Sequence, residues 1–147
     1  MIRSANLKDL DSLFEIENES FDYNSFALSR QNFIYHIKKN PLFVYEKESK
    51  ICGYILLLSR KNSEKIKVYS IAVSKNFRGF GVASKLLEKS FLYALNEGKK
   101  FAKLEVRTDN TSAIKIYKKY NFLHVKTLKA YYPNKSDAFV MQKTLLF

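Results

Sequence analysis

The stretch from Ile66 to Ala83 limits what this chain can build more than any other part of it. A β-rich run, Ile66-Lys67-Val68-Tyr69-Ser70-Ile71-Ala72-Val73, is followed by Arg78-Gly79-Phe80-Gly81-Val82-Ala83 and then by a long amphipathic helix. A strand feeding a glycine-rich turn that opens a helix calls for a sheet with helices packed on it. It also gathers several backbone N–H groups at the positive end of the helix dipole, which suits a phosphate or pyrophosphate. Gly79 and Gly81 let the main chain approach such a ligand with no Cβ in the way, and Arg78 adds a cation at the mouth. Taken alone the glycine pattern is weakly specific, because short patterns of this kind recur by chance.

The rest of the chain supplies the other layers. Asn6 followed by Asp9 reads as a helix start, continued by Leu7, Leu10, Leu13, Phe14 and Glu17. A polar and aromatic break at Asp22-Tyr23-Asn24-Ser25 precedes a second helix from about Ser29 to Lys39, stopped by Asn40-Pro41. Leu42 to Glu46 and Ile51 to Ser59 read as strands joined by a charged turn. The helix opened by this turn carries an apolar stripe of Ala83, Leu86, Leu87, Phe91, Ala94 and Leu95, with Gly98 as its stop. Between 102 and 107 Ala102, Leu104 and Val106 alternate with Lys103, Glu105 and Arg107, as in a strand. Asn110 to Tyr120 reads as a helix, and strands over Leu123 to Ala130 and Ala138 to Leu145 close the chain. With room for a short first strand, the order α-α-β-β-β-α-β-α-β-β describes an α+β sheet protein with helices on its faces.

Composition narrows the function classes. The 147 residues suit one domain with a real hydrophobic core. The first residues lack the apolar core of a signal peptide, and the longest apolar run, Tyr54 to Leu58, is far too short to span a bilayer; a cytoplasmic protein is expected. A single cysteine excludes an internal disulfide, and two separated histidines argue against a zinc site. Cys52, inside a strand pattern, is expected to be an inert buried thiol. The net charge of +12 is dispersed over short clusters such as Lys38-Lys39, Lys99-Lys100 and Lys118-Lys119, which read as solvated surface.

The residues after Val73 carry a resemblance to a family. The GNAT acyltransferases have a pyrophosphate signature, Arg/Gln-x-x-Gly-x-Gly/Ala, and Arg78, Gly81 and Ala83 meet it. Leu104-Glu105-Val106-Arg107, Asn110, Ala113-Ile114-x-x-Tyr117 and Asn121-Phe122 resemble the N-terminal protein acetyltransferases. Tyr131-Tyr132-Pro133 and Asp137-Ala138-x-x-Met141 resemble the bacterial RimI group, which acetylates the N-terminal alanine of a small-subunit ribosomal protein. The match covers about residues 66–145; the earlier residues match in element order more than in identity. RimI proteins commonly carry Pro-Trp-Ser after the first helix, where this chain has Phe21-Asp22-Tyr23-Asn24-Ser25 and no tryptophan anywhere.

The resemblance implies one N-acetyltransferase domain over residues 1–147, built on a mixed twisted sheet of about six to seven strands with helices on both faces. It implies acetyl-CoA as co-substrate and no metal. Ile71, Ala72 and Val73 would pair through their backbone with the pantetheine arm, and Arg78, Gly79, Phe80, Gly81, Val82 and Ala83 would hold the pyrophosphate. Asn110 and Tyr117 would also meet the cofactor. Glu105 would be the base, Tyr117 the acid that protonates the leaving thiolate, and Tyr131 and Tyr132 the grip on the acceptor backbone. A phenol near pKa ~10 and a thiol near ~8.5 are close enough for that transfer. The implied acceptor is a protein N-terminus, with a ribosomal protein foremost, and the implied enzyme is a monomer needing neither membrane nor nucleic acid.

Each residue also has a plainer reading. Glu105 could be a solvated strand residue between Lys103 and Arg107, and Tyr117 a core tyrosine sharing a stripe with Ala113, Ile116 and Tyr120. Asn110 is a good N-cap, and Tyr131 and Tyr132 could simply pack a loop on the sheet. Three functions stay open at this level: acetylation of a protein N-terminus, acetylation of a small amine such as a polyamine or an antibiotic, and a basic nucleic-acid-binding module.

Overall fold

Seven strands form one sheet in the order β1-β2-β3-β4-β5-β7-β6. The computed structural model describes residues 1–21 and 26–145, so the expected break at Asp22–Ser25 lies outside the described residues. β1 (Ile2–Ser4) leads through a 3-10 turn at Leu7–Asp9 into α1 (Leu10–Ser20), and α2 (Arg30–Lys39) follows. Then come β2 (Leu42–Lys47), β3 (Lys50–Ser59), β4 (Lys65–Val73), a 3-10 turn at Lys75–Phe77, α3 (Val82–Asn96) and β5 (Phe101–Arg107). α4 (Thr111–Lys119), β6 (Leu123–Leu128) and β7 (Ala138–Thr144) complete the chain.

Local chemistry explains most boundaries. Asn6 accepts the Lys8 N–H at 2.9 Å, while Asp9 accepts the Asn6 N–H at 2.8 Å, so the expected helix start is a capping box. It opens a 3-10 turn, and the regular helix begins only at Leu10. Ser29 and Asn32 cap α2 reciprocally at 3.1 Å. Gly98, at φ 73°, ends α3 in the left-handed conformation that glycine adopts without strain.

The sheet is covered on both faces. Leu13, Ile16, Phe33, Val44, Tyr54 and Leu56 form one core under α1 and α2. Ile55, Leu57, Ile66, Leu86, Leu87 and Leu104 belong to a second core under α3, which Tyr117 of α4 joins. β3 therefore buries successive residues on opposite faces, which is why Tyr54 to Leu58 reads as an unbroken apolar run. The β2–β3 pairing skips Cys52, a bulge that turns this fully buried thiol into the second core; burial pushes its pKa up. Lys99, expected among solvated pairs, is buried instead. Its Nζ donates to the carbonyls of Arg60 and Ser63 at 2.8 and 2.7 Å, which satisfies the cation inside the turn between β3 and β4.

One pairing differs from the rest. β4 and β5 are parallel, while the other strand neighbours are antiparallel, and their register runs only from Lys65↔Phe101 to Lys67↔Lys103. β4 remains paired to β3 as far as Gly53↔Val73, and β5 to β7 as far as Arg107↔Ala138. The β3–β4 register skips Tyr69, so a bulge bends β4 just beyond its last bond to β5. The strands part there and leave facing backbone edges on Val68–Val73 and Leu104–Arg107.

The chain start is anchored by charge. The Arg3 guanidinium donates to both carboxylate oxygens of Asp9 at 2.9 Å and holds its carboxyl below the ordinary range. A depressed folded-state pKa stabilises the fold above the unfolded value of about 3.9 and loses that contribution as pH falls. Asp9→Asn is expected to cost about 1–3 kcal/mol at neutral pH. Denaturant titrations across a pH series should show the gap from wild type closing once pH drops below about 4.

Candidate active site

A cleft of about 720 Å³ occupies the space where β4 and β5 part. Its walls come from residues far apart in sequence: Lys67–Val73 on one strand, Leu104–Arg107 on the other, the turn before α3, the start of α4, and Tyr131 and Tyr132 from the β6–β7 loop. Thirteen of the fourteen expected site residues line it: Ile71, Ala72, Val73, Arg78, Gly79, Gly81, Val82, Ala83, Glu105, Asn110, Tyr117, Tyr131 and Tyr132. The exception is Phe80, which is 72% exposed and borders a separate shallow depression with Tyr45 and Lys85. Of the six-residue turn, Phe80 alone is absent from the cleft wall.

The turn has the geometry that its glycines require. Gly79 and Gly81 have φ of 85° and 78°, where a side chain would be strained. A Cβ at either would meet no protein atom within 4 Å, so backbone conformation rather than crowding selects glycine. Gly81 is the N-cap of α3 and offers no side-chain cap. The first helical bond runs from the Lys85 N–H to the Gly81 carbonyl, so the amides of Val82, Ala83 and Ser84 precede the hydrogen-bonded turns. These three residues line the cleft, which leaves their N–H groups for an anion. Arg78 Nε donates to the Val73 carbonyl at 3.1 Å and its Nη2 to Ser20 Oγ at 3.4 Å, which ties the turn to β4 and to the end of α1.

At the other end, Glu105 is only 11% exposed. Its Oε1 accepts from Lys67 Nζ at 2.7 Å and from the Tyr131 hydroxyl at 3.1 Å. It is therefore a shielded, paired carboxylate and not a solvated strand residue between Lys103 and Arg107. Burial and the neighbouring Glu105 raise the Tyr131 phenol, and burial together with Tyr131 pushes Tyr132 up to about 12. Tyr131 and Tyr132 pack edge-on at 5.1 Å, and Phe26 joins them at 5.3 and 5.4 Å. Their loop is held by Asp137, which accepts the Ala130 N–H at 2.8 Å.

Tyr117 is buried, and desolvation raises its phenol well above the ordinary value. Burial thus favours the protonated phenol. It packs against Phe122 with ring centroids 5.7 Å apart and also borders the cleft. Asn110 borders the same cleft, and its side chain accepts the Ala113 N–H at 3.3 Å as N-cap of α4.

The family model for the acetyltransferase (GNAT) family matches residues 10–122. The chain belongs to the GNAT family. An N-alpha-acetyltransferase of Sulfolobus acidocaldarius is 32% identical to it over 158 residues, covering 98% of this chain and 92% of that protein. A Bacillus subtilis protein named for ribosomal protein bS18-alanine N-acetylation is 27% identical and covers 98% and 95%. Among solved structures, Ard1 from Thermoplasma volcanium superimposes with a TM-score of 0.91 at 29% identity, over 100% of this chain and 98% of that one.

This GNAT chain is thus an acetyl-CoA-dependent N-acetyltransferase with the fold of that family. The chain's own features fit the donor: two unpaired strand edges could hold an extended amide-bearing arm, and a helix N-terminus without a side-chain cap, entered by left-handed glycines, could hold a diphosphate. Among the described residues no group of His, Cys, Asp and Glu could hold a metal ion, and no helix is long and apolar enough to cross a membrane.

Sequence reasoning missed Lys67 and Phe26 as parts of the cleft. Period-two spacing assigns Lys67 to a face of β4 but does not say that Glu105 stands opposite. Nothing in the local pattern around Phe26 points to a loop beyond residue 130. The sequestered thiol of Cys52, outside this cleft, should react with an aromatic disulfide reagent in native protein at least about a hundredfold more slowly than in denaturant. Absorbance of the released thiolate measures both rates.

Proposed function

We propose that this enzyme acetylates the α-amino group of a protein N-terminus, with an alanine-starting ribosomal protein as the foremost acceptor. The observation that carries this reading is a shielded carboxylate, Glu105, and a buried phenol, Tyr117, lining one cleft with the turn at Arg78–Ala83. The names of the relatives in Sulfolobus and Bacillus support the acceptor class. Chemistry supports it as well. An α-amino group with a pKa near ~8 is partly neutral at neutral pH, whereas a lysine near ~10.4 is not, so a modest base favours N-termini.

In this reading Glu105 accepts the proton of the attacking amine, directly or through water. The acceptor nitrogen attacks the acetyl carbonyl carbon, and the C–N bond forms as the C–S bond breaks. Backbone N–H groups on the open β4 edge at Ile71–Val73 face the charge that develops on the carbonyl oxygen. Tyr117, held protonated by its burial, donates a hydrogen bond to the departing sulfur. Because its pKa is raised, full proton transfer to the thiolate is uphill, and solvent delivers that proton as the product leaves. Asn110 orients the start of α4 beside the donor, and Tyr131 and Tyr132 hold the acceptor backbone.

Glu105→Gln is expected to lower kcat by about a hundredfold or more, and Tyr117→Phe by about tenfold. Mass spectrometry of an alanine-starting peptide with acetyl-CoA reads both, as a gain of one acetyl group. Unchanged rates in both variants would discard these roles; turnover of small amines with no peptide product would move the acceptor class. Gly81→Val must strain a left-handed residue and is expected to weaken coenzyme A binding by about tenfold, measured by calorimetry.

A further inference from the structure

The mechanism leaves one charged group unexplained. Lys67 enters the cleft from β4 directly beside the place where the strands part, and its Nζ lies 2.7 Å from Glu105 Oε1. The lysine side chain is 28% exposed and the carboxylate 11%, so the pair forms part of the cleft wall and is sheltered from bulk water. The Lys67 ammonium also lies 5.6 Å from the centre of the Tyr69 ring. The other charged groups at this end already have partners: Arg107 is bound to Asp109 at 2.9 and 3.1 Å. Arg78 lies in the turn at the opposite end, on the Val73 carbonyl.

This pair sets a charge problem for any acceptor. An N-terminal amine arrives largely as an ammonium, at a carboxylate whose charge a lysine already balances. Two cations would then share one anion in a sheltered cleft, which is unfavourable unless the acceptor brings a negative charge of its own. A lysine can respond to such a charge. Its ammonium has three donors on a flexible four-carbon stem, so it can turn from Glu105 to a nearby carboxylate. The turn would vacate the Glu105 oxygen that the acceptor's proton needs.

We propose that Lys67 selects acceptors with an acidic side chain in their first two residues, and that this carboxylate draws Lys67 off Glu105. The inference rests on the acceptor class proposed above and deepens it: an alanine start followed by aspartate or glutamate is a preferred substrate, as is an aspartate start. The net charge of +12 acts in the same direction, because it speeds encounter with acidic chains and repels basic ones.

The test uses the full chain with acetyl-CoA and two matched peptide pairs, one beginning with Asp or Asn and one with Ala-Glu or Ala-Gln. In the wild type the acidic member of each pair is expected to show kcat/KM about tenfold above its amide. Lys67→Arg should keep that preference and Lys67→Glu should reverse it in favour of the amide member of each pair. A merely structural role for Lys67 would change all peptides alike. Equal kcat/KM within both wild-type pairs overturns the inference without any variant, and so does an acidic preference that survives Lys67→Glu. Acetylation of all peptides alike leaves the proposed acceptor class standing and sinks only the selectivity. Acetylation of none, by protein that binds coenzyme A, sinks both.

Discussion

The parting of β4 from β5 after Lys67 and Lys103 is the constraint on which the rest of the molecule depends. A paired strand edge has no hydrogen-bonding capacity left for a ligand, and an edge exposed on the outside invites other chains. Here two edges are opened inside the sheet, where flanking strands hold each one from behind. β4 stays locked to β3 and β5 to β7. The bulge at Tyr69 supplies the bend, and α3 and α4 fill the widening gap on one face. A cleft made in this way is rigid on both sides and still offers main-chain donors and acceptors.

A buried polar relay ties the opposite face to the same edge. Glu17 of α1 is fully buried, and it accepts the Leu28 N–H at 2.6 Å and the Tyr54 hydroxyl. Since the one Tyr54 proton is spent on Glu17, Ser70 donates to the phenol at 2.7 Å. Ser70 lies on the opened part of β4 and borders the cleft. The carboxylate carries no cation partner in this relay, and burial raises its pKa, a cost that its hydrogen bonds partly offset. What the cost secures is position: the chain just beyond Phe26 is fastened to the centre of the sheet, and Phe26 in turn leans on Tyr131 and Tyr132.

Much of the framework was legible because its causes are local. Strict alternation at 102–107 matches the buried positions of β5, and the cap at Asn110 and the stops at Asn40 and Gly98 act within one turn of helix. Where reading by pattern failed, a distant partner had changed the chemistry of a residue. Lys99 looked like surface because no short-range signal marks the two carbonyls that receive it. Phe80 sits in the middle of the turn, yet it borders a separate depression with Tyr45 and Lys85. Tyr117 kept its place on the helix stripe, yet burial moved its acidity away from the value that sequence alone suggests.

From its residues alone, this chain determined a strand, a left-handed glycine turn and an uncapped helix in series, because φ preference and hydrophobic period are properties of neighbours in sequence. It determined in the same way which residue types stand on each strand face. Only the tertiary structure decided that β4 and β5 part, that Glu105 meets Lys67 and Tyr131, and that Phe26 reaches a loop more than a hundred residues away. Those contacts depend on strand order, and strand order is set by the packing of two separate cores, which no local run of residues encodes.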